Sequence, residues 1–267
     1  MITIGMDPVI VHIGNFSIRY YSLMIIAAIV VGTYVGLKET RRKGISDDDL
    51  FSVLTWAIIG GIVGARLLHV IDKLDYYLQN PLAVLAFQEG GLAILGAIGG
   101  GFAVMVIYAQ LRHLPLGKLA DVGAVGIILG QAVGRIGCMI NGDVVGTPTD
   151  LPWGVAYTHP NSLTPELGVP LHPAAGYELI WDLIVFGFLW SIRKRGLADG
   201  TIFLLYAALY SVGRFFITFA RVDLQIWMGM SQAQVLSIVI IVVTMPLAVY
   251  LNRPRNLPLE SPPGSGA

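Results

Sequence analysis

The chain has 267 residues, 55% of them hydrophobic and only 13% charged, with a mean hydropathy of +0.72. Soluble domains keep about a quarter of their residues charged, so a water-soluble protein is excluded. Seventeen basic and seventeen acidic residues cancel to a net charge of zero, with no exposed basic face of the kind nucleic-acid binding requires, so no nucleic-acid partner is expected.

Seven apolar runs follow one another, at about residues 18–37, 50–71, 92–111, 119–136, 174–192, 201–220 and 235–251. Each is near the length a helix needs to cross about 30 Å of hydrocarbon at 1.5 Å per residue. The first lacks the basic leader and small-residue cleavage site of a signal peptide and reads as a retained span. Ser46, ahead of Asp47, Asp48 and Asp49, reads as the N-cap of the second helix. Lys38, Arg41, Arg42 and Lys43 follow the first run, Arg112 and Lys118 the third, Arg193, Lys194 and Arg195 the fifth, and Arg253 and Arg255 the seventh. Short basic loops stay in the cytoplasm, so the N-terminus is expected outside and the C-terminus inside.

Between the fourth and fifth runs, about residues 138–173, Pro148, Pro152, Pro160, Pro165, Pro170 and Pro173 forbid a regular helix. A small extracytoplasmic cap is expected there. The tail 253–267, rich in Pro, Ser and Gly, is expected to be disordered. The expected fold is therefore all-α, a polytopic integral membrane protein of about seven transmembrane helices in one domain, 1–252, with no internal repeat. One cysteine, Cys138, permits no intrachain disulfide. The four-residue spacings Gly60/Gly64, Gly96/Gly100 and Gly126/Gly130/Gly134 read as close helix contacts. A phosphate-cradling loop would need a preceding strand, and no strand is expected.

Charges within apolar runs are costly and usually mark function or an ion pair. Arg66, Arg135, Arg214 and Arg221 all fall toward the expected outer half, with Asp121, Asp143, Glu178 and Asp182 as available partners. Guanidinium groups are always charged and donate two parallel hydrogen bonds, which suits a phosphate headgroup. On the residues alone, an anion or lipid transporter and a non-catalytic lipid-binding scaffold stay open beside an enzyme.

The stretch Gly134-Arg135-Ile136-Gly137-Cys138-Met139-Ile140-Asn141-Gly142-Asp143-Val144-Val145-Gly146 closes the fourth run. It resembles the signature of the bacterial prolipoprotein diacylglyceryl transferases, a Gly-Arg-x-Gly-Asn run followed by Asn-Gly, an acidic residue and a glycine. Further blocks are similar in order and spacing: Arg19-Tyr20-Tyr21, Gly64-Ala65-Arg66-Leu67, Glu89-Gly90-Gly91-Leu92 with Gly96, His172-Pro173 with Tyr177-Glu178, and Tyr210 with Arg214 and Arg221.

The resemblance implies a transmembrane catalytic domain in the bacterial cytoplasmic (inner) membrane. The activity it implies moves a diacylglyceryl group from phosphatidylglycerol to the lipobox cysteine thiol of a prolipoprotein signal peptide, with the lipid bilayer as surroundings and no metal or organic cofactor. Arg135 and Arg214 are then expected at the phosphate. Tyr21 and Asn141 are expected as hydrogen-bond donors, Glu178 or Asp143 as orienting carboxylates, and Arg66, Gly146, Tyr210 and Arg221 as binding residues. The chain departs from the family pattern at Leu95 (histidine in many relatives), Cys138 (asparagine), His69 (tyrosine) and Thr218 (glutamate), which leaves His69 and His172 as the candidate thiol bases on that side.

Overall fold

The structure, a computed structural model, describes residues 1–14, 16–86, 90–221 and 225–253. Among the described residues, seven helices are long and apolar enough to cross a membrane: α1 (Tyr20–Lys43), α2 (Asp47–Asp72), α4 (Ile94–Leu111), α5 (Leu116–Asn141), α6 (Ala174–Ile192), α7 (Thr201–Ile217, continued by a 3-10 turn to Ala220) and α8 (Gln232–Leu251). The chain is a multi-pass membrane protein. The short α3 (Leu74–Gln79) and a 3-10 turn, Pro81–Leu85, follow α2.

The expected runs hold, with ends displaced for identifiable reasons. α1 continues through its basic residues to Lys43 and stops at Gly44, whose φ of 71° is a left-handed cap. α5 carries the signature to Asn141 and stops at Gly142, φ 76°. α8 begins three residues early, at Gln232, because Ser231 and Gln234 form a reciprocal capping box. Ser46 caps α2 as expected, accepting from the Asp49 amide at 3.0 Å. The tail beyond Arg253 lies outside the described residues.

The expectation of no strands is corrected. Six short ones occur among the described residues: β1 (Ile2–Ile4), β2 (Val9–Ile13), β3 (Phe16–Arg19), β4 (Val155–Tyr157), β5 (Gln225–Trp227) and β6 (Met230–Ser231). β1 lies parallel to β4, β2 and β3 form a hairpin with Val9 opposite Arg19, and β5 pairs with β6. They are too short for a two-residue period to show in sequence, and the glycine pairs lie within helices, as expected.

Those glycines bring helix backbones together. A Cβ on Gly64 would meet the Gly96 carbonyl oxygen, and one on Gly100 the Gly60 carbonyl oxygen, so α2 and α4 form a tight pair. On α5, a Cβ on Gly126 would lie 2.6 Å from Gly32 O of α1. The central core joins α5, α6 and α7 through Val125, Ile128, Val185, Leu189 and Ile202. At the basic end of the bundle, Asp121 of α5 accepts from the Gly200 and Phe203 amides at 3.0 Å each, capping α7, and pairs with Lys43 at 2.6 Å. Nearby, buried Glu39 holds Arg42 at 2.6 Å and Arg193 at 2.9 Å. The signature lies at the other end, under the strands.

Candidate active site

α5, α6 and α7 end together at the capped face and carry Arg135, Glu178 and Arg214 respectively. Glu178 is 3% exposed and lies just past the first turn of α6. Arg135 Nε lies 2.7 Å from its Oε2, Arg214 Nη1 donates to its Oε1, and Arg221 Nη1 stands 3.7 Å from Oε1. Three guanidinium groups thus share one carboxylate. Planar two-donor forks converging in this way suit a phosphate or carboxylate anion. Asp182, one turn further along α6 and 1% exposed, pairs with no described arginine, and its Oδ2 has no hydrogen-bond partner among the described residues.

Below this cluster α7 supplies Tyr210, half-buried, with its ring 6.1 Å from that of Tyr206; the Tyr206 hydroxyl donates to Gln131 of α5 at 3.1 Å. Thr218, the departure from the family's glutamate, donates to the Arg214 carbonyl at 2.6 Å. It therefore continues the turn that carries Arg214 instead of adding a carboxylate.

Arg221 is held by the cap. Gly146 bridges to it in an antiparallel pair, Gly146 N donates to His172 O at 2.8 Å, and Thr147 N donates to Ala220 O at 2.8 Å. A Cβ on Gly146 would strike the Ala220 carbonyl oxygen and lie 2.7 Å from His172 Cβ. Gly146, expected as a binding residue, thus permits the close approach that sets Arg221 beside Glu178. The same knot holds His172, whose Nδ1 lies 3.1 Å from the Tyr177 hydroxyl, which in turn accepts from Trp153 Nε1 at 2.9 Å.

On the α1 side, Arg19 Nη1 donates to Asn141 Oδ1 at 2.9 Å and to Asn161 O at 3.1 Å. A guanidinium has no acceptor, so the Asn141 oxygen must face Arg19 and its NH₂ points away. That NH₂ has no partner among the described residues, and the side chain is 4% exposed. Asn161 continues the chain, donating to both oxygens of Asp7 at 3.1 and 3.2 Å. The Val9 amide and Asn161 hold the Asp7 carboxyl below the usual carboxylate range. Beneath the cap, the Tyr157 hydroxyl donates to Met139 O at 2.7 Å, and burial pushes it up to about 12. Tyr21 opens α1 half-buried, its Cα 3.2 Å from where a Cβ on Gly137 would sit. Asp143 is exposed and pairs with no described arginine, so Glu178 alone of the two expected carboxylates orients the cluster.

Arg66 and His69 stand elsewhere. Arg66, 4% exposed on α2, donates to the carbonyls of Val84 at 2.9 Å, Gly90 at 2.7 Å and Gly91 at 3.1 Å, and its guanidinium lies 5.3 Å from the centre of the Tyr77 ring. With His69, Tyr76 and Tyr77 it lines a cavity of about 320 Å³. Arg66 organises the segment after α2 and does not join the Glu178 cluster; Glu89 lies outside the described residues. Leu95 is exposed on the first turn of α4, and Cys138 is buried. Sequence reasoning missed Arg19 and Trp153 as site neighbours. An arginine directly before two tyrosines, Arg19-Tyr20-Tyr21, was the available signal for the first, and nothing local pointed to the second.

The chain matches the prolipoprotein diacylglyceryl transferase family over residues 8–250. Among its relatives are proteins named phosphatidylglycerol–prolipoprotein diacylglyceryl transferase. The one from Dehalococcoides mccartyi is 38% identical over 96% of this chain and 98% of the relative. That from Trichormus variabilis is 38% identical over 94% and 92%, and that from Clostridioides difficile 35% over 93% and 96%. The match runs through both the helices that carry the arginine cluster and the cap that closes over it, and the chain belongs to the prolipoprotein diacylglyceryl transferase family.

Proposed function

We propose that this protein transfers the diacylglyceryl group of phosphatidylglycerol to the thiol of the lipobox cysteine in prolipoprotein signal peptides, at the outer face of the bacterial cytoplasmic membrane. The observation that carries this reading is the sharing of Glu178 by Arg135, Arg214 and Arg221 at the capped ends of three membrane helices. In the reaction the substrate's thiolate sulfur attacks the glyceryl carbon bonded to phosphate. The carbon–oxygen bond breaks and glycerol phosphate leaves with the bonding pair, while the thiol proton goes to solvent. The phosphate gains negative charge in that step, so fixed guanidinium donors stabilise the transition state more than the ground state. Arg135 and Arg214 bind the phosphate, Glu178 holds them apart in its absence, and Asn141 and Tyr21 donate hydrogen bonds at the rim.

The alternation of basic loops supports an N-terminus outside and a C-terminus in the cytoplasm, which puts the capped end where exported prolipoproteins emerge. Residues 1–252 act as one catalytic domain, with 253–267 as a cytoplasmic tail. Two measurements test the reading. Purified protein in phosphatidylglycerol bilayers is expected to lipidate a lipobox peptide and release one glycerol phosphate per peptide, with a Cys→Ser peptide inert because an alcohol is a far weaker nucleophile than a thiolate. Cysteine labelling of the 142–173 segment is expected from outside the membrane only; labelling from the cytoplasm contradicts the outward-facing site.

A further inference from the structure

Three side chains at the cap form a hydrogen-bonded line, and chemistry fixes the direction of its first link. The Trp153 indole N–H can only donate, and it donates to the Tyr177 hydroxyl at 2.9 Å. The Tyr177 oxygen is thereby an acceptor for Trp153, and its own hydrogen has one described acceptor within reach, His172 Nδ1 at 3.1 Å. The arrangement that gives every donor an acceptor runs Trp153 to Tyr177 to His172, and it occupies the Nδ1 lone pair. A neutral imidazole whose Nδ1 accepts must carry its proton on Nε2. Nε2 meets no partner among the described residues.

His172 also sits where a donor has something to do. Its main chain is tied to Gly146 and Thr147, Gly146 bridges to Arg221, and Arg221 reaches Glu178. Among the described residues the titratable side chain in contact with it is Tyr177 of α6; Glu178 follows Tyr177 on that helix, and Arg221 at the end of α7 is joined to the His172 main chain through Gly146. We infer that Trp153 and Tyr177 lock His172 as an Nε2–H donor, so that His172 gives a hydrogen bond to the phosphate of the substrate and is not the base that takes the thiol proton. Trp153 and Tyr177 are positioning residues that act through the histidine. The inference rests on the reading given under Proposed function, and it reverses the role in which His172 first came forward as a candidate.

Donor and base separate cleanly by substitution, because a glutamine amide can present an N–H near the place of Nε2 but cannot take up a proton at neutral pH, whereas an asparagine reaches only as far as Nδ1. With phosphatidylglycerol bilayers and a lipobox peptide, His172→Gln is expected to keep its rate within about tenfold of the wild type. His172→Ala and His172→Asn are expected to lose about 100- to 1,000-fold. In all of them the rate keeps the rise with pH that the substrate's own thiolate fraction imposes. Tyr177→Phe is expected to lower kcat with KM for lipid unchanged, and to cost nothing further in a His172→Gln background, since an amide has no tautomer to lock.

A readout independent of turnover uses nitrogen-15 histidine in the wild-type protein. His172 is expected as the Nε2–H tautomer, lost or mixed in Tyr177→Phe. If Gln is as inactive as Ala and the pH profile flattens in both, or if the resonance shows hydrogen on Nδ1, the inference is overturned. A wild-type protein that lipidates no peptide while His172 shows the Nε2–H tautomer defeats the functional reading, and with it the role as phosphate donor.

Discussion

Arg135 Nε lies 2.7 Å from Glu178 Oε2, and the other oxygen of that carboxylate belongs to Arg214. Glu178 therefore sets the distance between two guanidinium groups on different helices. Glu178→Gln keeps the shape and removes the charge, leaving three arginines to repel one another. Breaking a buried pair this way costs about 3–5 kcal/mol, at the lower end here because the arginines keep some solvent contact. The expected result is a clear fall in thermal midpoint together with loss of transfer, measured on purified protein in nanodiscs.

Asp121 makes the opposite prediction. It is buried at the basic end, pairs with Lys43 at 2.6 Å and caps α7 through the Gly200 and Phe203 amides. Asp121→Ala takes the acceptor from two amides and leaves Lys43 with Asp199 alone, at 3.0 Å, with an expected loss of about 1–3 kcal/mol in stability. Because it is remote from the arginines, the kcat of the fraction that folds is expected to be unchanged. A large fall in kcat without a stability loss would mean that the two ends of the bundle are coupled.

The α2–α4 contact can be tested with adjacent glycines. A Cβ on Gly100 would strike the Gly60 carbonyl oxygen, whereas one on Gly99 meets nothing within 4 Å. Gly100→Ala is expected to destabilise by about 1–3 kcal/mol through overpacking. Gly99→Ala is expected to be neutral or slightly stabilising, since alanine favours a helix over glycine. Thermal unfolding of the pair decides the point.

Asn141→Asp separates structure from chemistry on the α1 side. A carboxylate still accepts from Arg19, which gives Asn141 its 2.9 Å hydrogen bond, but it offers no N–H. Stability is expected to hold while the transfer rate falls about 100- to 1,000-fold, the usual range for a lost transition-state donor. Unchanged turnover in Asn141→Asp would assign this asparagine to the cap alone.

The seven spans were readable because an apolar run of bilayer length has few alternatives, and the Gly60/Gly64 and Gly96/Gly100 pairs because their spacing returns to one helix face. Ser46 was readable from its three following aspartates. The meeting of Arg135, Arg214 and Arg221 on Glu178 was not, since it depends on how three helices pack, and Asp121, Asp143 and Asp182 were equally plausible partners by sequence. Arg66 belongs to the same class of buried arginine by sequence, yet its carbonyl ligands at Val84, Gly90 and Gly91 are set by a loop with no periodicity to read. Strands such as Ile2–Ile4 and Val155–Tyr157 pair across the whole of α1 to α5, and three residues carry no legible pattern.

The central claim is that Arg135 and Arg214 act on the lipid phosphate through their paired donors. The most direct measurement is single-turnover transfer from labelled phosphatidylglycerol to a lipobox peptide by Arg135→Lys and Arg214→Lys, in nanodiscs, with folding verified by thermal midpoint. Lysine keeps the charge but not the planar fork, so both variants are expected to lose about 100- to 1,000-fold in rate, the range reported when one preorganised oxyanion donor is removed. Near-normal rates in both, with intact folding, would contradict the account and return these arginines to a structural role around Glu178.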